Sequence, residues 1–338
     1  MITVLSKDLN LAAKLLREGE VVAVPTETVY GLAANGFDPE AVKKIFLVKG
    51  RPSYNPLILH FSCKEKAIEA VSEVPEWAEK LMNEFWPGPL TLVLPKIESI
   101  PDEVTSGKNT VAVRVPSHKL MHELLCRLDF PLAAPSANLF SKISPTLTEH
   151  VLRDLNGKIP LIIDGGQCDR GIESTIVGMD KNGSPLLLRK GSIPREKMEV
   201  IIGRLEEVTS IEGDPIAPGM LKKHYAPETN AFLVKKSGKW LSKLDLEKYR
   251  VGVMCCVDLH KSDRAFIKEL SANGDLSEAA RELYKAMHEL DSLCFDVLLF
   301  EEFPEAGIGP SINDKLIRAT KPLIQIRKYL KNGLTSTC

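Results

Sequence analysis

The feature that most constrains this chain is a run of apolar residues, 21–24, that stops abruptly at Pro25. Such a run predicts a buried strand, and the strand must end at Pro25 because proline cannot donate to a sheet ladder. Hydroxyl and carboxylate side chains follow at once, in residues 26–28. Open α/β sheets bind ligands at the carboxyl ends of their strands. The sequence therefore predicts a ligand site directly after this strand.

A second polar segment, residues 49–60, combines cations with neutral hydrogen-bonding groups. Lys49 and Arg51 precede Asn55 and His60 in a stretch that prolines interrupt. A guanidinium group matches two phosphate oxygens with parallel hydrogen bonds, and a lysine adds a compact charge. This segment therefore predicts a loop that binds a polyphosphate.

The rest of residues 1–205 alternates between helical and extended patterns. Helical spacing of apolar residues predicts helices over residues 8–18, 39–48, 75–85 and 118–128. Short apolar or alternating runs predict strands over residues 57–61, 90–94, 110–115, 132–134, 161–164, 174–179 and 185–189. Such alternation is typical of an α/β domain in which helices cover a twisted, mixed sheet.

A smaller second domain is predicted towards the carboxyl terminus. Residues 206–230 mix charges with glycine and proline and show weak apolar periodicity, which indicates a linker. Beyond the linker, strands are predicted over residues 231–234, 250–254 and 295–300, and helices over residues 276–290 and 311–319. This order indicates a Rossmann-like α/β fold. We therefore expect a catalytic domain over residues 1–205, a linker over 206–230 and a second domain over 231–338.

Composition excludes several classes of protein. The 44 Lys and Arg balance 45 Asp and Glu, which argues against a strongly basic nucleic-acid-binding protein. No apolar run approaches the roughly 18–20 residues that span a bilayer, and no signal-peptide core is present, so we expect a cytoplasmic protein with no membrane partner. The seven scattered cysteines form no C-x-x-C pair and predict reduced thiols. His118 and His122 lack a third metal ligand and indicate a solvated helix face.

Familiar nucleotide-binding and hydrolase motifs are absent. The sequence has no Walker loop, no G-x-G-x-x-G after a strand, no H-E-x-x-H and no G-x-S-x-G. A nucleotide would therefore have to be bound by a different kind of loop. Ser136 and Ser144 either bind phosphate or ribose or simply cap a loop. Arg189, at a strand end, is either a ligand group or a surface cation. Arg114 lies within an apolar strand, and we expect it in a cleft that captures a carboxylate.

Several motifs together resemble the YrdC/Sua5 family of L-threonylcarbamoyladenylate synthases. In chain order they are Pro25-Thr26-Glu27-Thr28-Val29-Tyr30-Gly31-Leu32, Lys49-Gly50-Arg51-Pro52, Trp86-Pro87-Gly88-Pro89, Arg114-Val115-Pro116, Ala134-Pro135-Ser136-Ala137-Asn138 and Ser174-Thr175. The run Lys223-His224-Tyr225-Ala226-Pro227 and the second domain resemble the two-domain Sua5 form. Two positions depart from the family pattern: Gly178 stands where aspartate is common, and Lys190 where proline is common.

The resemblance implies a nucleotidyltransferase that makes L-threonylcarbamoyl-AMP from L-threonine, bicarbonate and ATP and releases pyrophosphate. The product would serve the threonylcarbamoyladenosine (t6A37) modification of tRNAs that read ANN codons. The resemblance assigns threonine to Thr28, His60, Arg114, Ala134 and Ser174. It assigns ATP to Arg51, Asn55, Thr110, Ser136, Ser144, Arg189 and Tyr225. Lys49 and Arg51 are the implied catalytic cations.

The resemblance also implies Mg²⁺, bound through the ATP phosphates rather than by a protein metal site. The downstream partner would be the tRNA threonylcarbamoyl-transferase machinery, and direct tRNA binding stays open. Tyr225, in the irregular linker, would reach over the nucleotide and make the linker a lid.

Two other functions stay open on the sequence. The same concave fold could be an RNA-binding module, which would show a steep salt dependence. It could also be a carbamoyltransferase that uses carbamoyl phosphate, although the chain lacks the C-x-x-C pairs of related proteins. The choice of carbon source separates the second alternative from a synthase.

Overall fold

The structure is a computed structural model, which describes residues 2–208, 217–220, 224–257 and 264–331. The chain divides into two compact units. The first contains residues 1–140 and 144–221, and the second contains residues 141–143 and 222–338. Each unit is built on a sheet of its own.

The first unit contains one mixed sheet of eleven strands, in the order β1-β8-β2-β3-β7-β4-β6-β5-β9-β10-β11. The strands are β1 (Val4–Ser6), β2 (Val22–Val24), β3 (Gly31–Asn35), β4 (Ile58–His60), β5 (Leu90–Pro95), β6 (Thr110–Arg114), β7 (Leu132–Ala133), β8 (Leu161–Ile163), β9 (Thr175–Met179), β10 (Pro185–Arg189) and β11 (Glu206–Glu207). β4 and β6 are parallel, whereas β5 and β6 are antiparallel. The predicted mixed sheet is confirmed.

Eight helices of the described residues accompany this sheet. They are α1 (Leu9–Arg17), α2 (Pro39–Lys49), α3 (Lys64–Ile68), α4 (Glu76–Phe85), α5 (Asp102–Thr105), α6 (Lys119–Cys126), α7 (Thr148–Leu155) and α8 (Arg195–Ile202). α1 and α2 begin after Asp8 and Asp38, whose carboxylates accept hydrogen bonds from backbone N–H groups of the first turn. The predicted helices are confirmed, and the structure adds α3, α5, α7 and α8.

Side chains of the first unit alternate between the two faces of the sheet, as the pleat requires. On β2, Val22 and Val24 pack with α1 and α6. Ala23 points the other way, into a larger core that includes apolar residues of α2, α4 and α7. Helices therefore cover both faces of this end of the sheet.

Strands β4, β5, β6, β9 and β10 have a different environment on one face. Leu59, Val113 and Val177 enter the large core, while their neighbours in the sequence point to the opposite side. There, Ile58, Val93, Ala112, Ile176 and Leu188 form a small apolar cluster with Ala217 and Met220. We call this side of these five strands the polar face, because the side chains beyond the small cluster are polar.

The second unit contains four parallel strands in the order β12-β15-β13-β14. They are β12 (Asn230–Val234), β13 (Val251–Cys255), β14 (Phe266–Glu269) and β15 (Val297–Glu301), accompanied by α9 (Ser237–Leu241), α10 (Leu276–Ser292), α11 (Gly309–Ala319) and a 3₁₀ helix, Leu323–Tyr329. The predicted second α/β fold is confirmed. β14, α9 and the 3₁₀ helix were not predicted.

Among the helices of the described residues, none combines the length and the apolar character that crossing a membrane requires.

Candidate active site

The polar face gathers side chains that lie far apart in the sequence. Since residues two apart in a strand share a face, His60 lies on the same side as Ile58, and Arg114 on the same side as Ala112. The parallel register places His60 directly beside Arg114. The same alternation adds Thr91 and Thr110, and Ser174 precedes Ile176 by two residues.

Arg114 is the best-defined cation of this face. Its side chain is buried, and Nη2 donates to Oε1 of Glu27 at 2.7 Å. Nη1 donates to Oγ1 of Thr28 at 3.1 Å, and Nε donates to the carbonyl of Gly88 at 3.2 Å. Burial by itself raises the pKa of the Glu27 carboxyl, but the charge and hydrogen bond of Arg114, with smaller contributions from the backbone N–H groups of Glu27 and Ser117, outweigh burial and hold that pKa below its usual value. The predicted cleft arginine is therefore an ion-paired arginine.

His60 is buried beside this ion pair and is neutral. Burial, helped by the neighbouring charge of Arg114, lowers the pKa of His60 to about 3. Its Nδ1 lies 3.3 Å from the carbonyl of Leu132, so the neutral ring donates there and leaves Nε2 as an acceptor. Ala134 follows β7 and donates its N–H to the carbonyl of Ile58, which keeps it next to the histidine strand.

The turn at residues 86–89 precedes β5 and is hydrogen-bonded to both neighbouring strands, to β6 through Arg114 and to β9 through Thr175. Gly88 accepts from Arg114, and the carbonyl of Pro89 accepts from the N–H of Thr175 at 3.0 Å. A Cβ atom on Gly88 would lie 2.3 Å from the carbonyl oxygen of Phe85, so only glycine fits there. The hydroxyl of Ser174 lies 2.7 Å from that of Thr91. The structure therefore brings the predicted Arg114 and Ser174 to one region.

Arg189 reaches this region because β10 contains a register shift. Leu187 pairs with Val177, but Arg189 rather than Leu188 pairs with Ile176. The extra residue turns the arginine towards the polar face, as a β-bulge does. Its guanidinium group donates to the Ser174 carbonyl at 3.0 and 3.1 Å and to the Ser174 hydroxyl at 3.0 Å. Arg189 is 7% exposed, so the alternative of a surface cation is wrong.

The segment at residues 217–220 packs against the same region of the first unit. Nη1 of Arg189 donates to the carbonyl of Pro218 at 3.0 Å. Ala217 and Met220 complete the small apolar cluster beneath the polar face. Part of the predicted linker is thus held by Arg189, which the family resemblance assigns to ATP.

Ser136 and Ser144 lie in backbone that is tied to the polar segment after β2. Ser136 forms a bridge with Gly31, and the carbonyl of Pro145 accepts from Tyr30 at 2.8 Å. The hydroxyl of Ser144 donates to Oε1 of Glu173 at 2.6 Å, and Glu173 directly precedes Ser174. These contacts place Ser144 close to the start of β9 and hence to Arg189.

The segment at residues 49–56 is fixed to the serine segment through a buried lysine. Nζ of Lys49 donates to the carbonyls of Ser136 and Asn138. Burial, with the charge of Arg51 nearby, lowers the pKa of Lys49 well below its usual value. These contacts give Lys49 a structural task, and its catalytic role stays a prediction.

Arg51 and Asn55 lie further along the same segment and are hydrogen-bonded to each other. Arg51 donates through Nε to the carbonyl of Asn55 at 3.2 Å and through Nη2 to that of Pro56 at 2.8 Å. Asn55 is fully buried, yet neither polar atom of its side chain has a hydrogen-bond partner among the described residues. Because buried amides are normally satisfied, Asn55 is the residue of this segment with the clearest unused hydrogen-bonding capacity, and its contact with ATP stays a prediction.

One predicted nucleotide contact, Thr110, lies away from this cluster, and another, Tyr225, belongs to the second unit. Thr110 begins β6, about 13 Å along the strand from Arg114 at ~3.3 Å per residue. Tyr225 belongs to the second unit, where its ring lies 5.6 Å from that of Tyr284 and 5.6 Å from Nζ of Lys315. The nucleotide contact of Tyr225 stays a prediction.

Sequence reasoning missed the role of Glu27 and the position of His118. The sequence places Glu27 in the polar run after a strand but does not reveal that it is the partner of Arg114. His118 precedes α6 and lies partly buried against Gly165, so the solvated face holds only for His122. Within the described ranges, no group of three acidic, histidine or cysteine residues could hold a metal ion.

Comparisons with known proteins cover both units. Residues 14–191 match the Sua5, YciO and YrdC family described as "Telomere recombination", and residues 193–320 match "Threonylcarbamoyl-AMP synthase, C-terminal domain". The threonylcarbamoyl-AMP synthase of Pyrococcus abyssi is 42% identical over 325 residues, which cover 92% of this chain and 94% of that protein. The corresponding Bacillus subtilis protein is 41% identical and covers 91% of each chain. The structure of P. abyssi Sua5 complexed with L-threonine matches with a TM-score of 0.85 at 38% identity, covering 95% of this chain and 100% of that chain.

Proposed function

We propose, since the chain belongs to the Sua5/YrdC family of threonylcarbamoyl-AMP synthases, that it forms L-threonylcarbamoyl-AMP from L-threonine, bicarbonate and ATP. The proposal rests mainly on the hydrogen bonds of Arg114, which leave part of its guanidinium group available. Three of its five N–H donors have partners among the described residues. One N–H on each terminal nitrogen is left for a carboxylate, which is the arrangement that two-point binding needs.

Threonine would occupy the region around Arg114. Its carboxylate would bind the two remaining donors of the guanidinium group, and its hydroxyl would contact Thr28, His60 or Ser174. Thr28 and Ser174 carry hydroxyl groups that can donate or accept, and neutral His60 keeps Nε2 as an acceptor. These groups suit a small polar amino acid better than an apolar one.

ATP would lie along the side that carries Arg51, Asn55, Ser136, Ser144 and Arg189. Two arginines neutralise a polyphosphate, and the hydroxyl groups contact phosphate or ribose oxygens. Both arginines already donate to backbone carbonyls, which fixes their orientation before a ligand arrives. Such prior ordering lowers the cost of stabilising negative charge at the α-phosphorus.

The reaction needs positioning more than a protein nucleophile. The threonine amine attacks bicarbonate to give a carbamate and water, and a carbamate oxygen then attacks the α-phosphorus as pyrophosphate leaves. Arg114 holds the amino acid, and Arg51 and Arg189 hold the nucleotide, so the two reactants meet in one orientation. Carbamates hydrolyse readily, and the burial of Arg114, Thr28 and Ser174 keeps water from the reacting atoms.

Mg²⁺ would be bound mainly by phosphate oxygens and would neutralise charge on the departing pyrophosphate. The donor chemistry of the nucleotide side fits a hard cation, because Glu173 places a carboxylate beside the hydroxyl of Ser144. We further propose that the product is consumed by tRNA threonylcarbamoyl-transferase enzymes in the cytoplasm.

Incubation of the full-length chain with ATP, L-threonine and labelled bicarbonate tests the proposal. We expect release of pyrophosphate and a labelled acyl-adenylate that depends on threonine. Label that enters only from carbamoyl phosphate would instead indicate a carbamoyltransferase. Salt-sensitive RNA binding without pyrophosphate release would indicate an RNA-binding module.

A further inference from the structure

One oxygen of the buried Glu27 carboxylate lacks a hydrogen bond of normal geometry within the described residues. Oε1 accepts from Arg114 at 2.7 Å, but Oε2 has no hydrogen-bond partner among the described residues. Glu27 is only 3% exposed, so bulk water does not replace the missing partner. Leaving a buried carboxylate oxygen unsatisfied is costly. An oxygen of this kind indicates that the site lacks a donor that a ligand would bring.

The position of this oxygen matches one part of an α-amino acid. Glu27 and Arg114 set a negative and a positive group side by side, joined at Oε1 and Nη2. An α-amino acid carries its ammonium and carboxylate on one carbon, so the two groups are also adjacent. If the carboxylate binds Arg114, a second carboxylate beside it is repulsive unless a positive group lies between them. The ammonium of the same substrate supplies that group.

We propose that Glu27 binds the α-amino group of the substrate through Oε2 and takes a proton from it. This inference rests on the proposed function, which requires a free amine. Without substrate, Arg114 holds the pKa of Glu27 below its usual value. The substrate carboxylate bound to Arg114 offsets that charge, so that burial then favours the neutral carboxylic acid. The ammonium transfers one proton to Glu27, and the nitrogen regains its lone pair. The amine then attacks the carbon of bicarbonate, forming the C–N bond, and water leaves.

The other titratable groups around Glu27 do not compete for this task. Arg114 is the ion-pair partner of Glu27, and His60 is neutral because burial lowers its pKa to about 3. Burial raises the pKa of the Cys168 thiol, which therefore stays protonated, and burial lowers the pKa of His118. Glu27 is therefore the one negative group among these neighbours of the ion pair.

Calorimetry on the full chain at pH 7.5 tests the proposal with two probes. One is L-threonine, and the other is 2,3-dihydroxybutanoate, in which a hydroxyl replaces the amine. We expect the wild-type protein to prefer threonine by about tenfold or more, because a charge-assisted hydrogen bond is lost with the analogue. Glu27→Gln keeps an acceptor for Arg114 but lacks the charge, and its preference should fall to about threefold or less.

The pH dependence of kcat distinguishes a role of Glu27 in proton transfer from a purely structural role. In Glu27→Gln, kcat for threonine should be low at pH 7 and should recover as pH rises towards the pKa of the threonine ammonium, while the KM for ATP stays unchanged. Glu27→Asp keeps the negative charge but moves it away from the substrate, so its preference for threonine over the analogue should be intermediate. This variant tests the proposal if Glu27→Gln fails to fold. Glu20→Gln, at an ion pair with Lys44 elsewhere in the unit, is the matched control and should behave as wild type.

Each outcome is decisive. If Glu27→Gln keeps the wild-type preference for threonine, or if its loss of activity is the same at every pH, Glu27 is only the counter-ion of Arg114. If the wild-type protein does not bind threonine at all, the proposed function fails, and this inference fails with it.

Discussion

Buried cations dominate the site at the scale of single residues. Lys49, Arg51, Arg114 and Arg189 are each less than 8% exposed. Removing a cation from water costs several kcal/mol unless hydrogen bonds or an opposite charge compensate. Each of the four donates to a carbonyl or a carboxylate. Substitutions that remove one of these cations therefore change both the site and its hydrogen-bond network.

Arg114→Ala should raise the KM for threonine or abolish turnover. A charge-assisted pair worth about 2–4 kcal/mol is lost, while the KM for ATP should change little. Arg114→Lys should recover only part of this loss, because lysine cannot bind a carboxylate at two points. Steady-state kinetics with each substrate varied in turn measure the effect. Arg195→Ala, at a surface pair with Glu199, is the control, and an unchanged threonine dependence in Arg114→Ala would count against the assignment.

Neutral His60 should make the stability of the first unit depend on pH. In the unfolded chain a histidine takes up a proton below about pH 6.5, but folded His60 does so only near its pKa of about 3. The free energy of unfolding should therefore fall as pH drops through this range, by about 1 kcal/mol per pH unit from this residue. The free energy of unfolding, measured with urea at several pH values between 7.5 and 4.5, should depend less steeply on pH in His60→Asn than in the wild-type protein.

His122→Asn is the matched control for that measurement, because His122 lies exposed on α6. Its slope should equal that of the wild-type protein. Equal slopes for all three proteins would show that burial does not hold His60 neutral.

The motifs located many of these residues but not their partners. Thr28, His60 and Arg114 stand in recognisable sequence patterns, and the structure brings them together. Glu27 and Arg114 are 87 residues apart, and nothing in the spacing of a sequence announces such a pair. The pairing follows from the register of the sheet and from the turn after β2, which only the folded chain defines.

At the scale of elements, close backbone contacts hold the ends of neighbouring strands together. Gly191, just after β10, lies against the backbone between Ser174 and Thr175, and a Cβ atom there would lie 2.4 Å from both the Ser174 carbonyl carbon and the Thr175 nitrogen. No flexible side chain could move aside to make room. The approach of β10 to β9 thus depends on a glycine.

Gly191→Ala should displace Arg189 from Ser174 and raise the KM for ATP, with a loss of about 1–3 kcal/mol in stability from overpacking. Kinetics and thermal unfolding measure the two effects. Ser184→Ala, in the exposed turn of the same hairpin, should leave both unchanged. A wild-type KM for ATP in Gly191→Ala would show that Arg189 does not depend on this contact.

Most elements could be predicted because their apolar residues follow one period. β3 (Gly31–Asn35) could not, because glycine, alanine and asparagine have low strand propensity and the strand forms through its pairing with β2 and β7. The register shift in β10 was also beyond sequence reasoning, since an extra residue in one strand has meaning only opposite its partner.

At the scale of the whole molecule, the division into two units predicts that the first unit can fold without the second. A chain ending at residue 208 lacks Ala217, Pro218 and Met220, so Arg189 loses a carbonyl partner and the small apolar cluster loses two members. A chain ending at residue 221 keeps them all. We expect both to fold, and the longer one to be the more stable.

Both truncated chains should show lower synthase activity than the full chain, because each lacks Tyr225. The chain ending at 208 should be the weaker of the two, with a higher KM for ATP. Circular dichroism, thermal unfolding and pyrophosphate release measure the comparison. Full activity in either truncated chain would contradict the hypothesis that the linker with Tyr225 acts as a lid.

The extra residue in β10 also limits how the length of this chain can vary. An insertion or deletion in β10 that shifts its pairing with β9 by one residue would turn Arg189 to the opposite face of the sheet. At the tip of the same hairpin, residues 180–184, a change of length alters a largely exposed turn and one hydrogen bond, from Trp77 to the carbonyl of Gly183, without shifting the strands. Natural insertions and deletions should therefore accumulate at the tip and be absent from the strand, so that strand length is inherited as strictly as the arginine itself.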